Sequence, residues 1–142
     1  MPTLSSAITA GASALAVQRT RIEVAVSNIA NAESTRGANG QPYRRRSVML
    51  ASDPVNSFDA ALGGAEATGV KVAGIVEDPP VFKRRYEPGH PDADADGFVS
   101  MPNVDAPEEM VDMMGAARAY QANLAAIGMI RDLVSKALDL GK

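Results

Sequence analysis

Cysteine and tryptophan are absent, histidine occurs once, and the aromatics are limited to three Phe and three Tyr. Without cysteine there is no disulfide framework, no thiolate ligand and no thiol nucleophile, a condition equally at home in cytosol or periplasm. The lone His90, between Gly89 and Pro91, finds no Ser/His/Asp arrangement around it, and with Asp92 it makes only a thin metal ligand set. Much of the 46% hydrophobic content is alanine, which argues against a large aromatic-lined pocket. No run of about 18 apolar residues is present, so no spanning helix and no membrane insertion are expected. The opening MPTLSSAITAGASALAVQ lacks the basic start and long apolar core of a secretory signal, so any export is expected to use a route that reads no cleavable signal. No Gly-rich phosphate loop and no recognisable catalytic carboxylate pair occurs; neither enzymatic activity nor a cofactor is expected.

What the chain does have is the same apolar stripe at both ends. Ser5, Ile8, Ala12, Leu15, Arg19, Ile22, Val26 and Ile29 follow one another at alternating steps of three and four. Met110, Met113, Ala117, Tyr120, Leu124, Ile127, Arg131, Val134 and Leu138 do the same. That spacing keeps one seam of a helix turned to a partner along its length. The first helix is predicted from about Thr3–Ser6, where hydroxyls can cap free N–H groups, to about Asn31, roughly 40 Å long. The last is predicted from a capping box at Asp105 and Glu108, with Pro107 in its first turn, to about Leu140, roughly 54 Å. Gly11 offers a flat face for close helix approach.

Between the helices, residues 42–52 alternate with a period of two, and Gly69–Glu77 and Val81–Tyr86 read as further strands separated by Asp78-Pro79-Pro80. Residues 51–68, rich in Pro, Gly, Asn and Ala, are expected to form a mobile loop. The predicted fold is α+β: long terminal helices paired as a coiled-coil-like inner domain, with a small, mostly antiparallel β-rich middle. The expected divisions are 1–35, 36–103 and 104–142. A middle segment of roughly 68 residues is marginal alone and should lean on the helices or on neighbours.

The net charge of −3 is unevenly spread: +4 over residues 1–50, −5 over 51–104 and −2 over 105–142. Opposed signs on one small chain suit self-association better than a nucleic-acid face. The clusters Arg44-Arg45-Arg46 and Lys83-Arg84-Arg85 do not change this, because strand alternation divides each between two faces. Ile8, Leu15, Ile22, Val26, Ile29, Met113, Tyr120, Leu124, Ile127, Val134 and Leu138 are the candidate assembly residues. Arg19 and Arg131 lie in the seams, where each either runs its stem out to water or pairs with an acid of a neighbouring subunit, such as Asp132 or Glu23.

A rival reading rests on Asp92-Ala93-Asp94-Ala95-Asp96-Gly97, which matches the first half of a calcium loop. The alternative function is a calcium-binding interaction module using loop 92–97. Against it, Asn103 stands where a bidentate Glu is needed, and Pro88, Pro91 and Pro102 oppose the flanking helices. An acidic, solvated turn is the plainer interpretation.

The end of the first helix, Ser27-Asn28-Ile29-Ala30-Asn31-Ala32-Glu33-Ser34-Thr35, resembles the SNNIANxxT signature of bacterial flagellar axial proteins: rod, hook and hook-associated proteins. One Asn of that signature is missing, and Ser34 stands where its Thr is expected, with Thr35 one place later. Val111–Leu124 (VDMMGAARAYQANL) is similar to that superfamily's C-terminal motif, and GVKVAGIVEDPPVFKRRYEPGHPDADADGFVSMPNVD resembles the centre of the FlgC family of basal-body rod proteins. The resemblance implies a structural, polymerising subunit of the periplasmic proximal rod that transmits torque from motor to hook. It also implies terminal helices lining a tube with the strands outside, partners in itself and other rod proteins, and passage through the flagellar type III export apparatus. Asn28 and Asn31 of the signature suit either a local helix cap or an inter-subunit contact.

Overall fold

The structure, a computed structural model, describes residues 4–37, 39–54 and 68–140. Helix α1 spans Leu4–Ala30, strands β1 and β2 span Arg46–Pro54 and Thr68–Glu77, β3 and β4 span Lys83–Tyr86 and Phe98–Met101, and helix α2 spans Ala106–Leu140. The fold is α+β, with two long helices flanking a small antiparallel β region. Most of the loop expected at 51–68 lies outside the described residues; Ala51–Pro54 and Thr68 instead extend the two strands.

The helices run antiparallel. A Cβ built at Gly11 would stand 3.0 Å from Ile127 Cγ1, and Asn28 meets Glu109 at the opposite end of the pair. These two crossings are separated by nearly the same length of helix on each side, so the register holds along the whole of α1. Glycine at position 11 is what allows the close approach: a methyl there would already crowd Ile127. The last turn and a half of α2 extends beyond the first described turn of α1.

The line of α2 that faces α1 is not the predicted one throughout. Met113, Tyr120, Ile127 and Val134 lie on it, but between them come Glu109, Ala116, Asn123 and Ile130, while Met110, Leu124, Arg131 and Leu138 are exposed. Two contacts set this rotation. Glu109 must turn inward to meet Asn28, and Ala116, with 1% exposure, is small enough to lie under the facing helix. On α1, Val17, Ala25 and Asn28 are the most buried positions of the C-terminal two thirds. Ile8, Leu15, Ile22 and Ile29 are half-buried, and Arg19 and Val26 are exposed.

Strands β1 and β2 form an antiparallel hairpin whose register breaks between Met49 and Leu50, where Ala73 is the extra residue opposite them. The hairpin lies along α1. Ser13 Oγ accepts the Val70 N–H at 3.1 Å, and the Asn28 side chain bonds Arg46 at the far end. Fifteen residues of helix rise about 22 Å, and the six residues of β1 between the corresponding points rise about 20 Å. The two elements therefore match in length.

The remaining strands pair in a second, separate hairpin, so the β region is two two-stranded sheets rather than one. β4 lies outside the strands that the sequence predicts, because FVSM between Gly97 and Pro102 is too short to show a period of two. Among the described residues, Val99 and Met101 of β4, with Val104, supply half of the buried hydrophobic side chains; Val17, Ala25 and Ala116 supply the rest. The core is thus thin, and Leu4, Val26, Met49, Leu50, Ile75 and Val76 are among many large apolar side chains left exposed. No described helix is long and apolar enough to cross a membrane.

Candidate functional site

The end of α1 is built to turn the chain back on itself. Asn31 Nδ2 donates to the Ser27 carbonyl at 2.8 Å, a bond within the last helical turn, and the Ser34 N–H bonds the Asn31 carbonyl. Gly40, with φ of 75°, supports the following turn, and the Tyr43 N–H returns to the Ser34 carbonyl. This fold-back delivers Tyr43, Arg45 and Arg46 to the side of Ser27 and Asn28.

Asn28 is fully buried, at 0% exposure, and all of its hydrogen-bonding capacity is used. Its Nδ2 donates to the Arg46 carbonyl and to Glu109 Oε2, both at 2.9 Å. Its Oδ1 accepts from the Arg46 N–H at 3.0 Å and from the Tyr43 hydroxyl at 2.9 Å. By bonding both the N–H and C=O of Arg46, the side-chain amide acts as a neighbouring strand would, and caps the start of β1. Neither a local helix cap nor, within the single chain, a surface contact describes it. It joins the end of α1, the start of β1 and the start of α2.

Glu109 enters this junction because Asp105 begins α2. The Asp105 carbonyl accepts the Glu109 N–H at 3.0 Å, and its Oδ1 accepts the Glu108 N–H at 3.3 Å. Glu109 is 2% exposed, and its second oxygen accepts Arg45 Nε at 2.6 Å. Arg45 also bonds Ser47 Oγ at 3.0 Å and has Asp78 and Asp112 within 3.6 and 3.8 Å. Burial works against the Arg45 charge. The bond to Glu109 and the fields of Glu109, Asp78 and Glu108 outweigh it, so the guanidinium pKa is held above its ordinary value. A buried carboxylate and a partly buried guanidinium are tolerable here because each is paired and hydrogen-bonded.

The basic run divides as alternation requires. Arg45 faces α2, while Arg44 and Arg46 both reach Glu77, and Arg44 also donates twice to the Asp78 carbonyl at 2.8 and 2.6 Å. A shallow cavity of about 180 Å³ opens beside the junction between Arg21, Val24, Arg46, Val48 and Asp112. Its mixed charge and open mouth show no convergent set of catalytic groups.

The acidic loop 92–97 is the turn of the second hairpin. Asp94 Oδ1 accepts the N–H groups of Asp96 and Phe98, and its other oxygen pairs with Arg84. Asp92 accepts Thr35 Oγ1 at 2.8 Å and pairs with Arg36 at 3.2 Å, and its N–H donates to His90 Nδ1. Two of the three carboxylates of the calcium-like motif are therefore committed to protein donors. Among the described residues no group of three His, Cys, Asp or Glu side chains is placed to hold a metal. The bond from the Phe98 N–H holds the Asp94 carboxyl below its ordinary pKa, against the opposing effect of desolvation and with help from Arg84 and the Asp96 N–H.

Of the seam arginines, Arg19 bonds Glu23 one turn along its own helix at 2.9 Å, both well exposed. Arg131 is exposed and makes no ion pair among the described residues. Apolar side chains gather instead on the face of α2 turned away from α1, where Met110, Val111, Met114, Met129 and Leu133 are all exposed. Sequence periodicity does not single out this second stripe, nor Glu109. The available signal for Glu109 was a carboxylate one residue before the predicted seam, and it reads equally as an ordinary first-turn acid.

Comparison with known proteins agrees with this architecture. The family described as "Flagella basal body rod protein" matches residues 8–38, and that described as "Flagellar basal body rod FlgEFG protein C-terminal" matches residues 95–140. Flagellar basal-body rod protein FlgC of Salmonella typhimurium is 48% identical over 130 residues, covering 92% of each chain. FlgC of Escherichia coli O157:H7 is 47% identical with the same coverage. FlgC of Bacillus subtilis is 43% identical over 141 residues, covering 92% of this chain and 93% of its own.

Proposed function

The chain belongs to the FlgC family of flagellar basal-body rod proteins, and from that premise we propose that it polymerises as a structural subunit of the proximal rod, carrying torque from motor to hook. The family is a structural one, and its place is the basal-body rod. The observation that carries the assembly reading is the exposed apolar face of α2, opposite the face that packs on α1. A monomer with six buried hydrophobic residues among those described leaves more large apolar side chains outside than in. Subunits stacked side by side would cover them.

In this reading residues 1–35 and 104–142 form the inner, tube-lining part and 36–103 the outer part. Ile8, Leu15, Ile22, Val26 and Ile29 of α1 and Met113, Tyr120, Leu124, Ile127, Val134 and Leu138 of α2 divide between the intramolecular pair and contacts to neighbours. Those already half-buried on α1 hold the pair together, and the exposed Val26, Leu124 and Leu138 meet other subunits. Arg131 is available to an acid of a neighbour. Partners are further copies, other rod proteins and, during secretion, the flagellar type III export apparatus. A thin core with one polar junction suits a chain that must travel unfolded and fold on arrival.

Long helices resist shear through many small contacts spread over tens of ångströms. Deleting residues 105–142 removes α2 and should abolish both rod assembly and motility; a motile strain carrying that deletion would contradict the proposal. Nothing in the structure favours the calcium reading, and calorimetry with calcium should show no binding heat.

A further inference from the structure

Four of the chain's seven methionines lie on α2, and their exposures fall into two groups. Met110, Met114 and Met129 are 48, 51 and 62% exposed, whereas Met113 is half-buried on the line facing α1; Met101 of β4 is 6% exposed. At 3.6 residues per turn the three exposed thioethers fall within an arc of about 100°, the same arc that carries Val111 and, just beyond it, Leu133. We propose that this face is a reversible oxidation site: in the free subunit, hydroperoxides convert Met110, Met114 and Met129 to sulfoxides ahead of Met113 and Met101, and the modified face no longer joins a neighbouring copy. The second half rests on the assembly reading of α2 given above.

The chemistry follows from accessibility. A sulfur lone pair attacks the terminal peroxide oxygen, the O–O bond breaks as the S–O bond forms, and the other oxygen takes up the proton and leaves as water from hydrogen peroxide or as the alcohol from an organic hydroperoxide. Sulfur loses two electrons and the peroxide gains them. Thioether reactivity needs no change of protonation, so the ranking among sites is set by access to the oxidant. The product is a strongly dipolar S=O in place of a flexible apolar group. Met, Val and Leu side chains give that oxygen no donor, so its desolvation is uncompensated wherever it packs on them rather than on Arg118 or Gln121 of the same face. Each sulfoxide should therefore weaken association by about tenfold or more. Once packed against a neighbour the same sulfurs would be shielded, which confines the sensitivity to subunits not yet assembled.

The test uses the purified full chain, exposed to limiting hydrogen peroxide and divided between peptide mass spectrometry and sedimentation at graded concentration. Sulfoxide should accumulate at Met110, Met114 and Met129 before Met113 and Met101, and self-association should fall by about tenfold or more per sulfoxide. Treatment with methionine sulfoxide reductases of both stereospecificities should restore it. Met49, 55% exposed on β1, provides an internal control. The triple variant Met110→Leu, Met114→Leu, Met129→Leu keeps Met49 and should associate equally well before and after peroxide. Equal oxidation of Met101, or unchanged association of the fully modified chain, would overturn the proposal whether or not the triple variant folds. An untreated chain that stays monomeric at every concentration would refute the assembly reading and the consequence drawn from it, while the peptide pattern decides the site selectivity by itself.

Discussion

Replacing Asn28 by alanine removes four hydrogen bonds from a fully buried position. The partners do not suffer equally. Tyr43 retains Ser27 as a neighbour at 3.4 Å, and Glu109 retains Arg45. The Arg46 N–H and C=O have no replacement and lie where a strand begins, so both lose their partners. Each stranded group at this part-buried strand start costs about 1–2 kcal/mol, which puts the variant about 2–4 kcal/mol below the wild type once the weakened Glu109 is included. For a domain of this size, total stability is of order 5–15 kcal/mol, so the change is a large share of it. Urea unfolding followed by far-ultraviolet circular dichroism measures it directly. Asn28→Asp should be at least as damaging at neutral pH, because it keeps an acceptor for Arg46 but loses both donated bonds and sets a second carboxylate against Glu109. If Asn28→Ala unfolds within about 0.5 kcal/mol of the wild type, the junction is not what ties α1, β1 and α2 together.

Three further outcomes are expected. Leu124→Asp should leave monomer unfolding nearly unchanged, since Leu124 is exposed, yet reduce self-association in sedimentation; Ile22→Asp, half-buried on α1, should lower both. Gly97→Ala should destabilise the second hairpin by about 1–2 kcal/mol, because Gly97 has φ of 81° and an added Cβ would stand 2.9 Å from Tyr86; differential scanning calorimetry would show it as a lowered transition. Asp94 has a folded pKa below its ordinary value near 3.8, so its stabilising effect is whole above that pH and is lost as pH falls through the lower folded value. Carbon-detected NMR titration should place the Asp94 midpoint below that of a short peptide of the same sequence, and Asp94→Asn should abolish the acid-induced change in the hairpin.

The terminal helices were legible because their apolar spacing repeats over many turns, and Asp105 and Pro107 mark where α2 begins. Their mutual rotation was not legible. Met110 and Glu109 are adjacent, and hydrophobic spacing favours the methionine, while the decision was made by Asn28, a residue 81 positions away. Strand β4 is not legible, because four residues between a glycine and a proline carry too little alternation to distinguish a strand from a connecting loop. The signature asparagines were recognisable as a pattern, but their division of labour depends on the fold-back. Asn31 closes its own helix, and Asn28 finds Arg46 only because Tyr43 and its neighbours return to it. The acidic loop shows the same dependence: spacing alone suggests a cation site, and the positions of Thr35, Arg36 and Arg84 assign its carboxylates to protein partners.

Electron cryo-microscopy of basal bodies from a strain lacking this gene tests the central claim most directly. The account predicts membrane-embedded rings without a completed rod, restored by the wild-type gene and not by one truncated before Asp105. Complete rods on swimming cells of the deletion strain would contradict it.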